Sequence, residues 1–170
     1  MSILNLIYYP DNRLRTLSKP VKKIDQEIKK LISDMFETMY FHEGIGLAAP
    51  QVGINLEIIT INLKKKKEIV LINPKIIDRS LESSYLEEGC LSIPNQRAKI
   101  KRNNFIKIEA LNILGKKIEI SAKSLLSICI QHEIDHLNGK LFIDYLSNFK
   151  KERIKKKILK INKLTHKNKK

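Results

Sequence analysis

The feature that most constrains this chain is the H-E-x-x-H motif, in which His132 and His136 flank Glu133 at a separation of four residues. On a helix, residues four apart lie on one face, with Cβ atoms roughly 5–6 Å apart. Two imidazoles at that separation can bind one metal ion, and the intervening carboxylate can take a proton from water at the metal. The motif therefore predicts metal-assisted hydrolysis.

The residues around this motif predict the helix that it needs. Apolar residues and both histidines recur at helical spacing after Ser124, which can act as the N-cap. Asn138 and Gly139 then form a stop signal. We therefore predict a helix over 124–137. The alternative is a chance motif on a solvated helix face, and it is the weaker interpretation.

The remaining pattern predicts an α+β fold. Asp25 is a suitable N-cap for an amphipathic helix whose apolar residues run from Ile28 to Tyr40. A glycine-containing loop at 44–51 and several mostly antiparallel strands follow. We expect small, mostly antiparallel sheets packed around a central metal-binding helix, with an additional C-terminal helix from about Ser147. The expected strand runs are 57–63, 68–72, 75–79, 105–111 and 116–120, with a hairpin loop at the four lysines 64–67.

Composition limits the class of protein. At 170 residues the chain can form one domain with a real core. No stretch approaches the roughly 20 apolar residues of a membrane span, and residues 1–10 lack the basic segment and cleavage site of a signal peptide. Two cysteines do not make a disulfide framework. We therefore expect a cytoplasmic monomer that has no contact with membranes.

The net charge of +15 is concentrated near the C-terminus. Residues 150–170 hold ten lysines and Arg153 against a single acid, Glu152, and so contribute +10. We therefore divide the chain into one catalytic domain at 1–147 and a basic helix and tail at 148–170. Such a cluster of cations favours RNA phosphates, so one interpretation is contact with the ribosome or its RNA. The other interpretation is a solvated, lysine-rich end.

A catalytic site of this kind needs a third protein ligand and keeps one position open. Cys129 lies on the correct helix face, but it precedes His136 by seven residues, or roughly 10 Å at ~1.5 Å per residue. It cannot reach the same ion and is better interpreted as core or pocket lining. Cys90 follows Gly89, which lets the backbone come close to another element. Spacing alone leaves both Cys90 and a distant carboxylate as candidates for the third ligand.

Three segments together resemble the peptide deformylases of the bacterial type. In order and spacing they are Gly44-Ile45-Gly46-Leu47-Ala48-Ala49-Pro50-Gln51, Glu88-Gly89-Cys90-Leu91-Ser92 and Gln131-His132-Glu133-Ile134-Asp135-His136. The start of the chain, at 9–15, is similar too, and the likeness covers roughly residues 1–147. The resemblance implies removal of the N-formyl group from the initiator methionine of new polypeptides, with release of formate.

The resemblance also implies a role for each matching residue. Glu133 would be the general base and then the general acid. The side-chain amide of Gln51 and the backbone N–H of Leu91 would stabilise the oxyanion. One divalent metal ion is implied, with Fe(II) preferred and Zn, Ni or Co as alternatives. Its ligands would be Cys90, His132 and His136.

The expected substrate-binding residues come from these motifs and from the helix face that precedes His132. The backbone around Ile45 and Gly46 would align an N-formylmethionyl nascent peptide as an added strand. An apolar wall beside the metal would suit an unbranched methionine side chain, and small residues would let the site close tightly around the formyl group. The expected substrate-binding residues are Ile45, Gly46, Gly89, Leu125, Ile128 and Cys129.

Two other functional classes remain open at this point. A peptidase with the same motif usually takes its third ligand from downstream of the helix, whereas Cys90 lies upstream. A non-catalytic ribosome- or RNA-binding protein with a structural metal needs a fourth protein ligand and has no use for Glu133. We find no fourth ligand, because His42 at a helix end and His166 in the tail are better interpreted as solvated.

Overall fold

The computed structural model describes the backbone of residues 2–63 and 67–167, with side chains as far as residue 160. Its helices are α1 (Gln26–Phe41), α2 (Ser124–Leu137) and α3 (Asn148–Lys167). Its strands are β1 (Gly46–Ala48), β2 (Ile58–Ile61), β3 (Ile69–Arg79), β4 (Ser83–Cys90), β5 (Ile93–Asn103), β6 (Phe105–Leu111) and β7 (Lys117–Lys123). Short 3₁₀ turns lie at Asn12–Arg15, Ala49–Val52 and Phe142–Tyr145.

The strands form two antiparallel sheets with α2 between them. The larger sheet has the order β1-β2-β3-β6-β7, and β4 and β5 form a separate hairpin. Helix α2 contacts β1, β2, β6 and β7 of the larger sheet and β5 of the hairpin. The predicted α+β class, with small antiparallel sheets around a central helix and a further C-terminal helix, is confirmed.

The three predicted helices are present, but one of the two predicted N-caps is wrong. Asp25 caps α1 by accepting a hydrogen bond from Ile28 N at 3.1 Å. In α2 the cap position belongs to Lys123, and Ser124 is the first helical residue, with φ of 51°. Strand β7 runs directly into the helix, so no loop residue is available as a cap. The N–H of Ser124 donates instead to Asn104 O at 3.0 Å.

Most of the predicted strands are confirmed, and two segments differ from expectation. The stretch 44–51 is only partly loop, because Gly46–Ala48 pairs with β2. The long hairpin of β4 and β5 is absent from the predicted strands. Its inward face carries charged residues such as Glu88 and Arg102, so the hydrophobic alternation that marks a strand is missing. The predicted hairpin loop at 64–67 lies mostly outside the described residues.

The first half of α3 packs against the body of the molecule. Ile154 and Ile158 are buried in the same apolar cluster as Leu14, Ile93 and Phe142. The apolar stripe of α1 belongs to another buried cluster and is core, as predicted. None of the helices within the described ranges is long and apolar enough to cross a membrane.

Replacing Ile158 with alanine should lower the free energy of unfolding by about 2–5 kcal/mol, because a buried branched side chain would leave a cavity. The neighbouring Leu159 is 41% exposed, against 3% for Ile158, so Leu159→Ala is the matched control and should stay within about 0.5 kcal/mol of the wild type. Urea denaturation followed by circular dichroism measures both. Equal effects of the two substitutions would contradict the docking of α3.

Candidate metal centre

Three side chains that can bind a metal meet where α2 passes the end of β4. One ligand atom from each of Cys90, His132 and His136 lies within 4.8 Å of the others. Cys90 Sγ is 3.2 Å from His136 Nε2, and the two imidazole centroids are 5.0 Å apart. Within the described part of the chain, no second group of this kind occurs. One thiolate and two imidazoles suit zinc or a transition metal and leave a fourth position open.

Local structure explains why Cys90 reaches the helix. The pairing register of β4 and β5 shifts between Gly89 and Cys90, and such a bulge turns a side chain away from the regular pleat. Gln131 ties the other side of the hairpin to α2. Its side chain donates to Asn103 O at 2.9 Å and accepts from Asn103 N at 3.2 Å. The motif residue Gln131 therefore holds the strand against the metal helix.

Glu88 fixes the orientation of His132. Its Oε2 lies 2.8 Å from His132 Nδ1, which leaves Nε2 free for a metal, as is common for histidine ligands. Burial raises the pKa of Glu88, but hydrogen bonds from His132 and Arg102 outweigh that effect, so the pKa lies below its usual value. By contrast, His136 Nδ1 is buried and has no hydrogen-bond partner among the described residues.

Arg102 of β5 connects Glu88 to a second carboxylate, Asp135. Arg102 Nε donates to Glu88 Oε1 at 2.7 Å, and Arg102 Nη1 donates to Asp135 Oδ2 at 2.6 Å. The Tyr145 hydroxyl also donates to Asp135, at 2.9 Å. Sequence reasoning missed this group. Glu88 and Asp135 could have been suspected, because each lies close to a proposed ligand in a motif, whereas nothing in the sequence marks Arg102 or Tyr145.

Glu133 is buried beside the three ligand candidates. Its side chain is enclosed by β1, because a Cβ on Gly46 would overlap Glu133 Oε1 and lie 2.8 Å from Cys129 Sγ. Glu133 Oε2 has no hydrogen-bond partner among the described residues. Burial raises the pKa of Glu133 to about 7. A carboxyl group with this pKa can both accept and return a proton near neutral pH.

The Gln51 side chain lines the same space as Glu133. Its Oε1 accepts from Ala48 N at 2.9 Å, which fixes the direction of the amide. Its Nε2 then lies 3.2 Å from Ser92 Oγ and 3.5 Å from Cys90 Sγ. Leu91, the other predicted oxyanion residue, follows Cys90 and also faces this space. Both predicted oxyanion residues therefore line the same cleft.

A cleft of about 730 Å³ opens onto these groups. Ile128 and Cys129 are buried in its wall, whereas Ile45 and Leu125 are exposed at its rim. His42 is half-buried and lines the cleft rather than being fully solvated as expected, and the side chain of His166 lies outside the described residues. All of the predicted substrate-binding residues line the cleft: Ile45, Gly46, Gly89, Leu125, Ile128 and Cys129.

The two cleft glycines differ in how closely other protein atoms approach them. Gly46 has no room for a Cβ, as described above. At Gly89 a Cβ would lie 3.5 Å from Arg97 Cγ, which is ordinary van der Waals contact. The protein around Gly89, which lines the cleft, can therefore accommodate a methyl group.

Comparison with known proteins identifies the family. The family model described as polypeptide deformylase matches residues 3–152. This chain belongs to the polypeptide deformylase family. A peptide deformylase of Buchnera aphidicola subsp. Acyrthosiphon pisum (strain Tuc7) is 62% identical over 165 residues, covering 96% of this chain and 95% of that protein.

Solved structures agree in fold. The crystal structure of a peptide deformylase from Legionella pneumophila has 42% identity and a TM-score of 0.92, and the match covers 97% of this chain and 98% of that one. The crystal structure of the peptide deformylase from Ehrlichia chaffeensis in complex with actinonin has 43% identity and a TM-score of 0.92. That match covers 94% of this chain and 98% of the other.

Membership of this family decides the reaction. The chain is a metal-dependent deformylase that removes the N-formyl group from the initiator methionine of newly synthesised polypeptides. The predicted family and activity are confirmed. The other two classes, a peptidase and a non-catalytic binding protein, are therefore set aside.

Replacing Gly46 with alanine should destabilise the deformylase by about 1–3 kcal/mol, the usual cost of overpacking, and should slow formate release because the new methyl group displaces Glu133. Gly89→Ala is the control for stability, since its Cβ meets only ordinary contacts. Thermal and urea unfolding of both variants measure the difference. A Gly46→Ala protein as stable and as active as the wild type would contradict the close approach of β1 to Glu133.

Proposed function

We propose that one divalent ion is held by Cys90, His132 and His136 and that Glu133 transfers the proton of the reaction. The observation that carries this proposal is the convergence of three ligand atoms within 4.8 Å beside a buried carboxylate. Glu133 Oε2 also lacks a hydrogen-bond partner among the described residues. When bound, such an ion polarises the formyl carbonyl and lowers the pKa of water toward ~7.

Glu133 has the chemistry that the proton transfer needs. With its pKa raised to about 7 by burial, the carboxylate accepts the proton of the attacking water. It then returns that proton to the amine nitrogen of the methionine as the bond to the formyl carbon breaks. The products are formate and a peptide with a free amino terminus.

Gln51 and Leu91 stabilise the negative charge that develops on the formyl oxygen. The amide of Gln51 is already oriented by the hydrogen bond from Ala48 N at 2.9 Å, and its side chain is buried. A donor that is fixed before the reaction needs no reorganisation when the charge forms. The backbone N–H of Leu91 is the second donor in this proposal.

The peptide binds as an additional strand beside β1. Strand β1 is at the edge of the larger sheet, so the backbone at Ile45 and Gly46 can pair with an extended N-formylmethionyl peptide. The methionine side chain then lies against Leu125, Ile128 and Cys129, which form the apolar side of the cleft. Gly89 lies on the other strand that borders the cleft.

For the metal we propose Fe(II), with Zn, Ni and Co as the alternatives. A thiolate with two imidazoles suits all four ions, and the likeness of the three motifs to bacterial deformylases favours iron. The Cys90 thiolate is oxidisable, so the protein should be purified without oxygen. Iron at one equivalent in such a preparation supports Fe(II), and zinc at one equivalent contradicts it.

Formate release from a formyl-Met-Ala-Ser peptide tests the assigned roles, using protein loaded with Fe(II) or Ni(II). Glu133→Ala should lose about 10²–10⁴-fold in kcat, since the general base is removed, while still binding one equivalent of metal. Gln51→Leu should lose about 10²–10³-fold in kcat. Glu119→Ala, on exposed β7, is the control and should match the wild type. Turnover by Glu133→Ala at the wild-type rate would rule out its role.

We also propose that the deformylase is a cytoplasmic monomer whose helix α3 contacts ribosomal RNA, with 1–147 as the catalytic domain and 148–170 as the basic helix and tail. Ile154 and Ile158 face the apolar core, so the charged side of α3 is turned outward. Such a row of cations suits RNA phosphates. The exposed cations in its described part are Lys150, Arg153, Lys156, Lys157 and Lys160.

Changing four exposed lysines of α3 to glutamine should weaken co-sedimentation with ribosomes and reduce its salt dependence, while turnover of short peptides is unchanged. The substituted residues are Lys150, Lys156, Lys157 and Lys160. An equal change of charge elsewhere is the control, made at Lys19, Lys22, Lys23 and Lys75. If both variants bind equally well, the contact does not involve α3. Substitution is preferable to truncation, because truncation would remove the buried Ile154 and Ile158.

A further inference from the structure

We propose that Tyr145 is a positioning residue for the metal ligand His132 and acts through three charged side chains. The Tyr145 hydroxyl donates to Asp135 at 2.9 Å, and Arg102 donates to the same carboxylate at 2.6 Å. Arg102 also donates to Glu88 at 2.7 Å, and Glu88 is 2.8 Å from His132 Nδ1. The inference rests on the proposed role of His132 as a ligand.

Tyr145 makes two contacts that fix the plane of Arg102. Its hydroxyl binds Asp135, which is the acceptor at one end of the guanidinium, and its ring lies 4.7 Å below the guanidinium carbon. A cation held over an aromatic face is stabilised by the ring's quadrupole. The plane of Arg102 is therefore determined at one end by Tyr145 and Asp135 together.

The plane of Arg102 in turn fixes the carboxylate of Glu88. Arg102 Nε and Nη2 contact its two oxygens at 2.7 and 3.0 Å, a bidentate arrangement that adds geometric specificity. Glu88 Oε2 then has a single direction in which to accept from His132 Nδ1. A change in the orientation of Arg102 would therefore change the orientation of the His132 imidazole and the position of its metal-binding Nε2.

The turn that carries Tyr145 touches His132 a second time. The ring of Phe142, in the same 3₁₀ turn Phe142–Tyr145, stacks on the His132 ring with centroids 6.3 Å apart and an interplanar angle of 25°. Asp144, between them, binds Arg15 and also Lys151 of α3 at 3.0 Å. The turn is thus anchored on two sides, and it constrains the imidazole at its face and, through Tyr145, at its Nδ1.

Tyr145 has no contact with the substrate site. It is 50% exposed and is absent from the residues that line the cleft. Its effect is therefore expected on the affinity for metal and on the geometry of the metal, with little effect on KM. Substitution of a residue that contacted the substrate would instead change KM and leave the affinity for metal largely unchanged.

Tyr145→Phe removes the hydroxyl and keeps the ring. The dissociation constant for Co(II), measured by competition with a chelator, should rise about three- to tenfold. That is below the 10–100-fold typical when a direct partner of a ligand is lost, because Tyr145 acts at a greater distance. The visible absorption bands of the Co(II) protein should shift. Tyr85→Phe, at an exposed tyrosine of β4, is the matched control and should change neither quantity.

A double-mutant cycle shows whether the effect passes through Glu88. In a Glu88→Gln background, adding Tyr145→Phe should change the Co(II) dissociation constant less than twofold, since residues in one network are not additive. Asp135→Asn interrupts the same chain if Glu88→Gln fails to fold. Additive effects would overturn the proposal. So would a Tyr145→Phe protein with a lower Tm and unchanged metal affinity, which indicates a merely structural role.

A different set of variants tests the ligand assignment in the proposed function. If Cys90→Ala and His132→Ala each still bind one equivalent of metal as tightly as the wild type, the ligand assignment itself is wrong. If those variants lose metal and Tyr145→Phe retains it with wild-type affinity, only the positioning role of Tyr145 is wrong.

Discussion

The hairpin of β4 and β5 and the metal centre both depend on the hydrogen bonds of the buried Arg102 guanidinium. Its side chain and that of Glu88 are each only 4% exposed, and Asp135 supplies the second carboxylate. Burial lowers the pKa of Arg102, but the two carboxylates raise it above its ordinary value. Removing one member of such a buried group costs about 3–5 kcal/mol, because the others are left without compensation. The same contacts therefore hold β4 and β5 against α2 and orient His132.

This arrangement also explains which parts of the site can be read from the sequence. His132 and His136 lie on one helix face, so their spacing alone predicts a shared ion, with the Glu133 carboxylate beside it. Cys90 comes from a hairpin whose buried face combines Glu88 and Arg102 with Ile93 and Ile100. The charged residues interrupt the hydrophobic alternation that would have marked its strands. The place of Cys90 at the centre was therefore implied only by the likeness of whole motifs, and the roles of Arg102 and Tyr145 had no local signal at all.

Two smaller differences between the sequence-based predictions and the structure also arise from tertiary contacts. Ser124 has the side chain of a good helix cap, yet its N–H is bound by Asn104 O at 3.0 Å and β7 leads straight into the helix. Strand β1 has only three residues and exists because it pairs with β2. In both cases a partner distant in sequence decides the local conformation, and local propensity carries no information about that partner.

Gly46 lies both beside the proposed acid–base group and at the proposed peptide-binding edge. Because it lacks a Cβ, the backbone of β1 can approach the carboxyl of Glu133, and this approach helps to bury the group whose pKa is raised to about 7. Gly46 is also the first residue of β1 (Gly46–Ala48). This strand forms an edge of the larger sheet, where an extended peptide can add as a strand. A side chain at this position would displace Glu133, because its Cβ would overlap that carboxylate. The proposed proton transfer therefore depends on the absence of a side chain at the residue where β1 begins.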